Sequence, residues 1–144
     1  MKKIVVLLSV FVLLLFTGCG SSNVSELNVD KAKSVIESEL KDMKEVEDDS
    51  LKDVYGLNLE LMDFHVIKQN NDGDLYAIIK TSEKTKVKND MKKYFEKIEK
   101  FNSNYSPERL EILNNRVEKE IGDYLIYIVA LNANDIYDNI VKDL

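Results

Sequence analysis

One thiol, one imidazole and two guanidinium groups are the scarce reactive side chains of this 144-residue chain, and their positions limit the chemistry it can do. His65 is the single histidine. Asp63, two residues earlier on the same face of an expected strand, could orient it as a general base. A serine nucleophile would need a strand-to-helix elbow, and no Gly-x-Ser-x-Gly occurs. A half-exposed strand histidine beside an acid is therefore the expectation. With one His and one Cys, the common His-based zinc sites are out of reach, so no catalytic residue, metal ligand or cofactor site is assigned. Gly56, Gly73 and Gly122 stand alone, which leaves no phosphate-cradling loop and no dinucleotide fingerprint. Asn70-Asn71-Asp72-Gly73-Asp74 superficially suggests a calcium loop. Aligning Gly73 with that loop's glycine puts Lys68 at the first ligand position and Ile79 where a bidentate Glu belongs, so the run reads as a hairpin turn. Glu45, Glu47, Asp48 and Asp49 read as a solvated helix end.

The thiol is the most informative group. Met1-Lys2-Lys3 is a positive start, and an apolar run over 4–16 is broken only by Ser9. A membrane-spanning helix needs about 20 apolar residues, so this run is too short and reads as an export signal. Leu15-Phe16-Thr17-Gly18-Cys19 then resembles the lipobox of bacterial lipoproteins, with Phe16 where Leu is usual. The resemblance implies cleavage after Gly18 and a diacylglyceryl group on Cys19. Two acyl chains hold a protein at a bilayer where one lets it go. Lipidation also consumes the only thiol, which removes disulfides and cysteine chemistry from a monomer. Residues 19–28 follow as a Gly/Ser/Asn-rich tether, leaving 29–144 as one domain.

Without residues 1–18 the chain carries 18 basic against 26 acidic groups, a net charge of −8. Nucleic acid is therefore not expected as a partner. Arg109 and Arg116 are the only residues suited to bidentate anion recognition. Charge is unevenly spread: 80–100 holds eight Lys and four acids. Lys84, Lys88, Lys92 and Lys97 are thus a candidate surface for the membrane or a polyanion, weighed against a solvated helix face with pairs such as Glu96 and Lys100. Twenty-six acids could still supply a carboxylate pair for glycan hydrolysis, although no Trp is present to stack on a sugar and no pair stands out.

The elements that must position these groups follow from periodicity. Ala32, Val35, Ile36, Leu40 and Met43 predict a helix over 30–45 capped by Asn28 or Asp30, and a helical turn over 50–55 stops at Gly56. Alternation predicts a strand over 61–68 and a second over 75–81, joined as a hairpin. A long helix spans 83–102. Ser106-Pro107-Glu108 starts another, with Leu110, Leu113 and Val117 on its apolar face and Gly122 as its stop. Residues 124–131 form a strand apolar on both faces, either covered on two sides or pairing across an open edge. A helix from 134 closes the chain. The fold class is α+β, a small antiparallel sheet of about three strands packed with four to five helices, the third strand antiparallel to the second.

The sequence resembles the domain-of-unknown-function family 4358, small bacterial lipoproteins of unassigned role. The resemblance is carried by the lipobox at Cys19, Leu51-Lys52-Asp53-Val54-Tyr55-Gly56-Leu57, Tyr105-Ser106-Pro107-Glu108, and Gly122-Asp123-Tyr124-Leu125. It implies location and fold and no catalytic residues. The expected function is a lipid-anchored, non-catalytic interaction module at the outer face of the bacterial cytoplasmic membrane. Its expected partners are an envelope protein or polymer, and a second copy pairing through strand 124–131. The alternative is a small carboxylate-dependent cell-envelope hydrolase.

Overall fold

Two strands with no polar face set the architecture. β3 (Leu75–Lys80) and β5 (Tyr124–Val129) are almost entirely buried, so layers of helix must cover both sides of the sheet they share. The computed structural model describes residues 26–142 and 144. Around that pair lie α1 (Val29–Glu39), β1 (Lys44–Glu45), a wide helical turn (Ser50–Val54), a 3-10 turn (Leu59–Leu61) and β2 (Phe64–Gln69). After β3 come α2 (Lys84–Tyr105), α3 (Pro107–Asn114), β4 (Val117–Ile121), β5 and α4 (Ala133–Val141). The sheet is antiparallel throughout, in the order β1-β2-β3-β5-β4.

Alternation along each strand sends side chains to opposite faces. Tyr76, Ile78, Ile126 and Ile128 meet Ala32 and Ile36 of α1 and Ile136 and Ile140 of α4. Ala77, Ile79, Leu125 and Tyr127 meet Val87, Met91, Tyr94 and Phe95 of α2. The result is three layers, helix on sheet on helix. Asn28 is the cap of α1, its side chain accepting from the Lys31 amide at 3.0 Å. Thr81 is wholly buried where β3 hands over to α2. Its hydroxyl donates to the Leu61 carbonyl at 2.6 Å and accepts from the Glu83 amide at 2.9 Å.

Several expectations need correction. The sheet has five strands, not three. The third α-helix ends at Asn114, and Val117 opens β4 instead of continuing the helical face. Val117 and Ile121 are four apart, a spacing that serves a helix face and a strand face equally, and the intervening Glu-Lys-Glu favours helix locally. What decides is pairing: β4 lies on β5 with Ile121 opposite Tyr124, and Gly122 makes the hairpin turn with φ of +55°. Its charged middle suits an exposed sheet edge. Consequently Tyr124–Ile128 has a neighbour on each side, β3 and β4, and the open edge offered as one reading of 124–131 is not found there. α1 stops at Glu39, short of 45, because Leu40 is extended and Asp42 has φ of +57°. Ser106 precedes α3 without a side-chain capping bond, so Pro107 at the first position carries the start.

Candidate functional site

The second α-helix is longer than the sheet it covers. Its 22 residues rise about 33 Å, whereas a six-residue strand spans about 20 Å. Its last turns therefore overhang, and its apolar stripe continues past the sheet to Ile98 and Phe101. Beneath the overhang lies a cleft of about 420 Å³. Leu75, Leu113 and Val129 floor it, and Val54, Tyr55 and Phe101 contribute to its walls. Val54 is 61% and Phe101 66% exposed, the floor residues 3% or less. Apolar side chains thus reach from the rim to the base.

The polar groups of the cleft are few and differ in how they are engaged. Arg109 places two guanidinium nitrogens 3.2 and 3.3 Å from Asp74 Oδ1, and lies over Gly73, whose φ of +85° forms the β2–β3 turn. Asn70 closes that turn, its side chain accepting from the Asp74 amide at 2.9 Å, as the hairpin expectation required. Lys97 donates to the carbonyls of Val54 at 2.9 Å and Tyr55 at 3.0 Å. Among the described residues it has no carboxylate within ion-pair distance. Gln69 and Asn102 add two neutral amides. No Asp or Glu lines the cleft among the described residues.

The four lysines singled out by sequence do not converge. At about 100° per residue, Lys84, Lys88 and Lys92 follow one flank of α2, and Lys97 lies about 140° further round and about 20 Å along the axis from Lys84. Glu120 on β4 joins Lys84 and Lys88; their hydrogen bonds, Lys88's first, hold its carboxyl below the usual range. Lys84 also donates to the Gly122 carbonyl at 2.6 Å, and Lys92 sits 4.0 Å from Glu96. Arg116, the second guanidinium, is held by Glu99 and Glu118 and lies 4.3 Å from the Phe95 ring centre. Both arginines are thus spent on carboxylates of the domain itself. His65 bonds to Asp48 Oδ1 at 2.9 Å, not to Asp63; Asp63 lies before β2 begins and meets the Lys80 carbonyl through its backbone. Elsewhere, on the α1 face, the Tyr76 hydroxyl and Lys68 both bond to Glu37. Partial burial alone would raise the Glu37 carboxyl, but those two bonds and the Lys68 charge outweigh it and hold it low.

The cleft sits at a defined end of the molecule. Leu75 opposes Val129 at the cleft, and Lys80 opposes Tyr124 at the other end of the same ladder, about 17 Å away. At that far end Glu26 approaches Lys80 at 3.5 Å, and Leu27 packs near Tyr124. The described chain therefore begins at the pole opposite the cleft. Cys19 lies outside the described residues, as do 1–18 and most of the expected tether. Among the described residues no helix is long and apolar enough to cross a membrane.

A family described as a domain of unknown function, DUF4358, matches residues 36–130. The chain belongs to that family. The matched span of this DUF4358 domain runs from α1 to just beyond β5, and so contains all five strands and every residue that lines the cleft. No curated protein and no solved structure matches the chain. The sequence placed Lys97 on a charged helix face without showing that it lines a cleft together with Phe101. The available signal was the helix length: a 20-residue helix over strands of six must project.

Proposed function

We propose that this DUF4358 domain is a lipid-anchored binding module outside the cytoplasmic membrane, tethered through Cys19 and presenting its cleft away from the bilayer. The observation that carries this reading is the placement of the first described residues, Glu26 and Leu27, and the cleft at opposite poles of the sheet. A tether entering at Glu26 turns that pole toward the lipid. Lys84 is the nearest of the four α2 lysines to that pole, and it would approach anionic headgroups while Lys97 stays at the cleft. The lining supports binding over carboxylate-dependent hydrolysis. Hydrolysis of a glycosidic bond needs two acids flanking the scissile bond, whereas the cleft offers an apolar floor, one lysine, one paired arginine and two amides.

Radiolabelled palmitate tests the anchor: incorporation is expected in the natural chain and none in Cys19→Ser. Orientation is tested with Val54→Cys, which puts a thiol on the exposed rim of the cleft. A membrane-impermeant maleimide should label it in intact cells whose outer layers have been removed. Labelling only after lysis, or palmitate retained by Cys19→Ser, overturns the reading.

A further inference from the structure

Among the described residues, Lys97 is the charged group of the cleft that has no carboxylate partner. Arg109 has Asp74, whereas the Lys97 ammonium rests on two neutral carbonyls and has no carboxylate partner among the described residues. Around it the surface is apolar: Leu75, Leu113 and Val129 below, Ile98 and Phe101 beside. A ligand complementary to this arrangement has a single negative charge at one end and an apolar body at the other. The volume, about 420 Å³, falls within the range of small-molecule sites. A doubly charged phosphate would call for a guanidinium fork or several backbone amides, and Arg109, the arginine that lines the cleft among the described residues, is already engaged by Asp74.

We infer that the cleft binds a small carboxylic acid with an aromatic or aliphatic body, its carboxylate on Lys97 and its body on the Leu75–Leu113–Val129 floor. This rests on the cleft being a binding site, as proposed above. Gln69 and Asn102 are the neutral amides available to the second carboxylate oxygen.

The test is calorimetric titration of the full chain in lipid nanodiscs, with empty nanodiscs subtracted, against three probes sharing one body: 4-phenylbutyrate, 4-phenylbutanol and 4-phenylbutylamine. The acid should bind about fivefold or more tighter than the alcohol, as expected for a partly exposed ion pair, and the amine weakest of all. Lys97→Gln, which can still donate to one of its two carbonyls, should weaken the acid far more than the alcohol and so remove the difference between them. Phe101→Ser, an exposed position, should weaken all three alike. Equal binding of acid and alcohol overturns the carboxylate assignment and leaves the cleft as a site. Binding of none of the three overturns both.

Discussion

Replacing Thr81 with valine keeps the shape of the side chain and removes one oxygen. That oxygen holds the Leu61 carbonyl at 2.6 Å and the Glu83 amide at 2.9 Å, in a residue with no exposed surface. Each bond contributes about 1 kcal/mol, and a buried partner left unpaired adds a further penalty, so Thr81→Val should destabilise by about 2–3 kcal/mol. Thr81→Ser keeps both bonds and removes a methyl group, which costs about 1 kcal/mol. The expected order of stability is therefore Thr, then Ser, then Val. Urea unfolding followed by circular dichroism reads it directly. With a slope of about 2 kcal/mol per molar, the Val midpoint should fall by about 1–1.5 M and the Ser midpoint by about half a molar. Burial of apolar area alone gives the opposite order, with Val at least as stable as Thr. A Val midpoint at or above that of Ser would show that these two bonds do not hold the β3–α2 junction to the Leu59–Leu61 turn.

Tyr94 is fully buried against Tyr55 and Phe95, and among the described residues its hydroxyl has no hydrogen-bond partner. Tyr94→Phe keeps both ring contacts and should raise the urea midpoint, by about 1 kcal/mol in stability; a lower midpoint would mean that the hydroxyl is satisfied in solution. Burial first, with Glu37 acting on Tyr76, Tyr55 on Tyr94 and Glu118 on Tyr127, pushes these three phenols well above their usual range. A group raised in the folded state gives its full stability below its unfolded pKa, near 10. Stability should then fall above about pH 10 by up to about 1.4 kcal/mol per pH unit for each of them. Ionisation of all seven tyrosines near pH 10 in a chain that remains folded, read by tyrosinate absorbance beside circular dichroism, would contradict this. Gly73→Ala puts an L side chain at φ of +85° and a Cβ 3.0 Å from the Arg109 guanidinium. A loss of about 1–2 kcal/mol is expected, together with loosening of Arg109 from Asp74, and an unchanged thermal midpoint would count against the turn geometry.

Much of the local structure was legible in sequence because its causes are local. Asn28 caps α1, Gly56 ends the turn that precedes it, and 70–74 closes the β2–β3 hairpin, each through bonds spanning a few residues. For 124–131 the sequence left two readings, covered on two faces or open at an edge, and the structure takes the first for Tyr124–Val129. The failures share a cause of another kind. Val117–Ile121 has a pattern that both helix and strand accept, and only its register against β5 chooses. His65 finds Asp48, seventeen residues away, because the fold brings that loop alongside. The two arginines look like anion sites until their carboxylates are seen to be already at hand.

By itself, the sequence determined the amphipathic helices, the hairpin, the apolar strand and the single thiol at a lipobox-like position, because period, capping and turn chemistry act within one or two turns of chain. Tertiary structure alone decided that α2 overruns the sheet, that Lys97 has no carboxylate partner among the described residues, and that the cleft lies at the pole opposite Glu26. Those are relations between surfaces, set by helix and strand lengths and by the order in which strands pair, and no short stretch of residues contains them.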